Sequence, residues 1–118
     1  MKTQGKPIIA VICGDISGVG PEIVTKVILE GPMENARLIV VEDAEVMHAT
    51  FARLGAKFNL PVFRNIEDAV KNDAPVALFD LAQGGKEQLF LGHPDNKSGE
   101  LQALALVKAI NFATANLV

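Results

Sequence analysis

The chain has 118 residues, of which 49% are apolar and 21% charged, with a formal net charge of −3. That length fits one small domain with a modest core, and the acidic balance, the absence of Trp and Tyr and the lack of any basic run argue against nucleic acid as the main partner. No apolar stretch approaches the ~18 residues a membrane span needs, no secretory h-region opens the chain, and the lone Cys13 has no partner for an internal disulfide, so a reducing cytoplasm is the expected setting.

Pro7 to Cys13 is a continuous apolar run closed by Gly14, the pattern of a strand covered on both faces, and it is expected at the centre of a sheet. From Pro21 to Glu30, Ile23, Val24, Val27 and Ile28 form one stripe of a helix with Thr25 and Lys26 facing away, and Gly31-Pro32 ends it. Arg37 to Val41 reads as a second strand. Asp43 suits the N-cap of a second helix, in which Ala44, Met47, Phe51 and Leu54 recur at three- and four-residue intervals before Gly55. Leu60 to Phe63 reads as a third strand, Glu67 to Lys71 as a turn or short helix, and Val76 to Phe79 as a fourth strand after the breaker Asn72-Asp73-Ala74-Pro75.

Gln83 to Asn96 is punctuated by Gly84, Gly85, Gly92 and Pro94 and reads as a loop or hairpin, with Leu89-Phe90-Leu91 as its strand-like core. Ser98 is the expected cap of a final helix whose stripe is Ala103, Leu106, Val107, Ile110, Ala113 and Leu117. Leu101, Leu104 and Phe112 lie off that stripe, so the helix wants cover on more than one side, from a second subunit, another domain or further sequence. Alternating strands and helices predict a layered α/β/α fold with a largely parallel sheet, because parallel strands need crossovers long enough to hold a helix.

The most informative segment is Gly14-Asp15-Ile16-Ser17-Gly18-Val19-Gly20-Pro21-Glu22, which joins the first strand to the first helix. Pro21 pre-sets φ for the first helical turn, and a helix start carries free amides and about half a positive charge, which suits an anion. The glycines fall at offsets zero, four and six rather than the zero, two and five of a dinucleotide fingerprint, and Pro21 and Glu22 stand where a P-loop has its lysine and hydroxyl. Spacing alone leaves an anion-binding loop and a tight structural connection equally open.

The whole string, preceded by the strand Ile8 to Ile12, resembles the opening of the 4-hydroxythreonine-4-phosphate dehydrogenase family of pyridoxine biosynthesis, with Ile16 and Ser17 standing where that family has proline and alanine. Its two extra residues set it apart from the shorter string of the related isocitrate and isopropylmalate dehydrogenases. The resemblance runs on through Arg37 to Val41, the helix ending at Leu54-Gly55 and Ser98-Gly99-Glu100.

It implies the N-terminal part of the isocitrate/isopropylmalate dehydrogenase-like fold, and residues 1–118 as an incomplete portion of a two-domain enzyme. The implied activity is NAD-dependent and needs a divalent metal. It oxidises 4-phosphohydroxy-L-threonine or a related phosphorylated four-carbon hydroxy acid, whose product decarboxylates, in a homodimer with the metal at its interface. On this reading Gly14, Asp15, Ser17, Gly18, Val19 and Gly20 bind cofactor. The family's metal-binding histidines and substrate residues lie beyond Val118, so no catalytic or metal residue is named and the 118 residues alone are expected to be inactive.

Single residues keep simpler readings. Asp15 either bonds a ribose hydroxyl or holds its own turn, and Glu22, favoured by the helix dipole, is expected to position the loop or pair with a basic group. His48 and His93 lack the neighbours of a metal site and read as structural or solvent-facing, the likeness of Gly92-His93-Pro94-Asp95 to a family substrate motif being accidental. Cys13 reads as an inert buried hydrophobe. A second function class stays open: a non-catalytic nucleotide- or phosphate-binding or subunit-pairing module. For a cofactor loop, Gly18→Ala or Gly20→Ala should raise the NAD KM with the fold intact.

Overall fold

A computed structural model describes residues 6–16, 18–83 and 96–118. The elements run β1 (Ile8–Ile12), α1 (Gly20–Leu29), β2 (Arg37–Glu42), α2 (Ala44–Arg53), β3 (Val62–Phe63), α3 (Ile66–Lys71), β4 (Val76–Asp80) and α4 (Asn96–Thr114). The expected loop with Leu89-Phe90-Leu91, together with His93 and Ser17, lies outside the described residues.

The strands form one parallel sheet in the order β1-β2-β4-β3. Ile8 pairs with Arg37 and Ile12 with Val41, Leu38 with Val76 and Glu42 with Asp80, and Val62 with Leu78. All of β4, and β2 from Leu38 onward, is buried, as near-continuous apolar runs require when helices cover both faces. Alternation sends Leu38, Val40, Val76 and Leu78 to one side, where Met47 and Phe51 of α2 and Val24 and Ile28 of α1 pack. Ile39, Val41 and Phe79 face the other side, against Ala69 of α3 and Leu101, Ala105 and Phe112 of α4. The result is the α/β/α sandwich the alternation predicts.

Local signals place α2 and α3 well. Asp43 caps α2 by accepting from the amides of Glu45 and Val46 at 2.9 and 3.3 Å, and Asn65 caps α3 by accepting from Glu67 and Asp68 at 2.8 and 3.3 Å. Gly55, at φ 72°, takes the left-handed conformation just past α2. Arg37 closes the far end of α3: its guanidinium donates to the carbonyls of Ala69, Val70 and Ala74 at 3.2, 3.0 and 2.9 Å. A cation on the last carbonyls of a helix meets both their open lone pairs and the helix dipole.

Four expectations are corrected. First, β1 lies at the edge of the described sheet, not its centre, and Ile9 is 44% exposed; an apolar run reports cover by helices on its faces, not strands on its flanks. Second, α1 turns Thr25 inward and leaves Ile23 and Val27 about half exposed. The Thr25 hydroxyl donates to the Pro21 carbonyl at 2.8 Å, which satisfies it inside the core and reverses its hydropathy-based assignment.

Third, α4 buries Leu101, Ala105 and Phe112 while Leu106, Val107 and Ile110 of the expected stripe stay exposed. Ala105 is small enough to let the helix approach the sheet, and Phe112 meets Phe79 edge-on with ring centroids 5.0 Å apart. Fourth, α4 begins at Asn96, so Ser98 lies in its first turn instead of at its cap.

Candidate functional site

Because the strands are parallel, their carboxyl ends share one edge, where open α/β sheets bind ligands. β1 ends at Cys13 and the glycine loop, β2 at Glu42-Asp43, and β4 at Asp80 and the turn to Gln83. The loop's glycines have separable reasons. Gly14 has φ +75°, a left-handed conformation that a side chain resists. A Cβ on Gly20 would sit 1.5 Å from the Cys13 carbonyl oxygen, so α1 starts in contact with the strand backbone and only glycine fits. Gly18 meets neither demand: its amide donates to the Asp15 carbonyl at 3.0 Å, and an added Cβ would make an ordinary 3.4 Å contact with that oxygen. Gly20→Ala therefore tests packing, and the expectation that it would leave the fold intact is withdrawn.

Ile16, fully buried in the cluster that includes Leu101 and Phe112, anchors the loop's entry. Val19 occupies the N-cap of α1 with no side-chain cap and is 68% exposed, and Pro21 follows in the first turn. Glu22 does what the sequence suggests: it pairs with Lys26 at 3.2 Å and reaches Arg53 of α2 at 4.0 Å, away from any anion before the helix. Asp15 is half-buried and engaged in a contact of its own.

Glu42 and Asp80 are residues the sequence reading missed. Glu42 is wholly buried; its Oε2 accepts from the Asp43 amide at 3.0 Å, Oε1 has no hydrogen-bond partner among the described residues, and the Cys13 thiol is the carboxyl's other polar contact. Burial, with the neighbouring Asp43 carboxylate adding to it, pushes the Glu42 carboxyl up to about 7 against a partial offset from the Asp43 amide. Burial, reinforced by the adjacent Glu42 charge, likewise raises the Cys13 thiol, which fits the inert reading because a reactive cysteine needs its thiolate.

Asp80 is saturated: Oδ1 accepts from the amides of Ala44 and Ala82 at 2.9 and 2.8 Å, and Oδ2 accepts from Arg64 Nε at 3.3 Å. Asp43 Oδ2 accepts from the Gln83 amide at 2.7 Å, so the cap of α2 also holds the turn after β4. The signal that could have found these acids is their position, a carboxylate closing an otherwise apolar strand.

Among the described residues no group of three His, Cys, Asp or Glu side chains converges, and His48 stacks on Phe58 with ring centroids 3.8 Å apart. The acids at the end of β2, where a dinucleotide fold commonly engages a ribose, are either sealed in the core or committed to a cap.

No family model matches the chain. The chain is similar to two kinds of phosphate dehydrogenase. It is 34% identical over 106 residues to the 4-hydroxythreonine-4-phosphate dehydrogenase of Beijerinckia indica, covering 89% of this chain and 31% of that protein. It is 30% identical over 112 residues to the D-threonate 4-phosphate dehydrogenase of Pectobacterium atrosepticum, covering 94% and 34%. The crystal structure of 4-hydroxythreonine-4-phosphate dehydrogenase from Klebsiella pneumoniae superposes with a TM-score of 0.80 at 21% identity, over 98% of this chain and 36% of that one. The parallel sheet with flanking helices is thus a fold shared with that solved structure, and the chain spans about a third of the length of the relatives it matches.

Proposed function

We propose that the chain is the N-terminal part of an NAD-dependent, divalent-metal-dependent dehydrogenase that oxidises 4-phosphohydroxy-L-threonine or a related phosphorylated four-carbon hydroxy acid, with decarboxylation of the product. The observation that carries the reading is similarity along about nine-tenths of the chain to a 4-hydroxythreonine-4-phosphate dehydrogenase and a D-threonate 4-phosphate dehydrogenase, beside a glycine loop at the carboxyl edge of the sheet. The fold in this reading is the first part of the isocitrate/isopropylmalate dehydrogenase-like architecture, within a single α/β unit over 1–118. The described side chains do not form a metal site, so metal ligation belongs to other residues, and no catalytic step is assigned here. What these residues contribute is a tight turn: Gly14 permits its left-handed backbone and Gly20 the close approach of α1 to β1, and Gly14, Asp15, Gly18, Val19 and Gly20 are the cofactor contacts in this reading, with Ser17, outside the described residues, as a sixth.

Gly18→Ala in the full-length enzyme is the discriminating variant, because its Cβ is tolerated by the fold. The expected result is a several-fold rise in the NAD KM with unchanged thermal stability. An unaltered KM would reduce the loop to a structural connection. The isolated 118 residues should form no NADH from phosphorylated substrate with metal present.

Pairing of two copies is part of the same proposal. Leu106, Val107 and Ile110 of α4 are each between 45% and 53% exposed, an apolar face that pairing would cover, while Ile23 and Val27 of α1, about half exposed, form a separate face on the opposite side of the sheet.

A further inference from the structure

A cleft of about 420 Å³ opens at the carboxyl end of β4, between that strand and α4, lined by Arg64, Phe79, Asp80, Ala82, Leu104 and Lys108 among others. Its volume lies in the range of small-molecule sites. Lys108 is the anomaly. It falls on the inward face of α4 with Leu101, Leu104, Ala105 and Phe112, where every neighbour is apolar, yet it is only half-buried and makes no ion pair among the described residues.

Across the cleft, Arg64, whose side chain is 74% exposed, donates from Nε to Asp80 at 3.3 Å, and no hydrogen bond among the described residues occupies Nη1 or Nη2. With Asp80 neutralising one cation, the cleft keeps a net charge of +1 from Arg64, Lys108 and Asp80.

The rim is held in place. Ala82 adopts φ 55°, a left-handed conformation costly for a residue with a side chain, and its amide donates to Asp80 Oδ1 at 2.8 Å. The next amide, of Gln83, donates to Asp43 Oδ2 at 2.7 Å. A guanidinium fork and a lysine point charge together suit an oxyanion, and the pair matches the charge and several acceptor oxygens of a phosphate.

We propose that this cleft binds a phosphate group, with Arg64 and Lys108 as its two cationic contacts. The site is separate from the glycine loop and does not rest on the dehydrogenase reading. Inorganic phosphate, glycerol 3-phosphate and ADP are titrated in turn into the isotope-labelled 118-residue chain at fixed ionic strength, with chloride as control, and amide shifts are followed by NMR.

Saturable shifts at Ala82, Gln83 and Lys108 are expected, with at least tenfold weaker binding in Arg64→Gln and in Lys108→Met. Lys108→Met removes no described bond, so it keeps the test valid if Arg64→Gln disturbs Asp80. Tighter binding of glycerol 3-phosphate would identify the source as a small phosphomonoester, and tighter binding of ADP as a nucleotide. Shifts that fail to saturate with phosphate, or binding unchanged in folded Lys108→Met, would overturn the proposal.

Discussion

Glu42 shows how burial can dominate a residue's behaviour. Its folded pKa of about 7 lies above the ordinary 4.5, so between those values the folded protein holds a proton that the unfolded chain releases. Stability is therefore fully present below about pH 4.5 and falls as pH rises through about 7, by roughly 3 kcal/mol at 1.36 kcal/mol per pH unit. Glu42→Gln keeps the shape without the charge. Urea unfolding across this range should show the wild type losing stability relative to the variant as pH rises, whereas parallel curves would place the carboxyl in a wetter setting.

Gly20 and Gly18 make a second residue-scale contrast. Gly20→Ala drives a Cβ into the Cys13 carbonyl and should cost about 3 kcal/mol or more, or prevent folding, while Gly18→Ala should stay within about 1 kcal/mol. Equal thermal melts for the two would refute the assignment of separate duties. Sequence announced both glycines but could not rank them, since only the folded backbone shows which one touches a strand.

At the scale of elements, what was legible is what is local. Asp43 and its amides lie two and three residues apart, so the cap of α2 was readable from the string, and so were the strand runs and the breaker before β4. Which face of a helix turns inward is not local. In α1 and α4 apolar residues occupy both sides, and hydropathy cannot choose between them; Thr25 with its internal bond and the fit of Ala105 and Phe112 to the sheet decide it.

A direct check is available on α4. Phe112→Ala should cost about 3–5 kcal/mol, while Val107→Gln and Ile110→Gln, on the exposed side, should each change stability by about 0.5 kcal/mol or less. The reverse ranking in urea unfolding would restore the face expected from sequence. Arg37 belongs to the same scale: it sits 32 to 37 residues from the carbonyls it binds, a pairing no window of sequence displays. Arg37→Met should cost about 2 kcal/mol by freeing the end of α3.

For the whole molecule, each of the acids Glu42 and Asp80 closes an apolar strand in the sequence, but their being neighbours follows from the parallel register that sets them side by side at one edge. The same register carries the glycine loop and the Arg64–Lys108 cleft to that edge, which is why a chain with two histidines and no metal cluster among its described residues still presents plausible ligand chemistry. Its half-exposed apolar faces on α1 and α4 fit a unit that works against neighbours.

The central proposal is that this unit is one part of a larger dehydrogenase, and the intact mass of the native product tests it most directly. A product about three times the 12.6 kDa of this chain is predicted, since the chain spans about a third of its relatives. A native product of 12.6 kDa would contradict it and leave binding as the activity to measure.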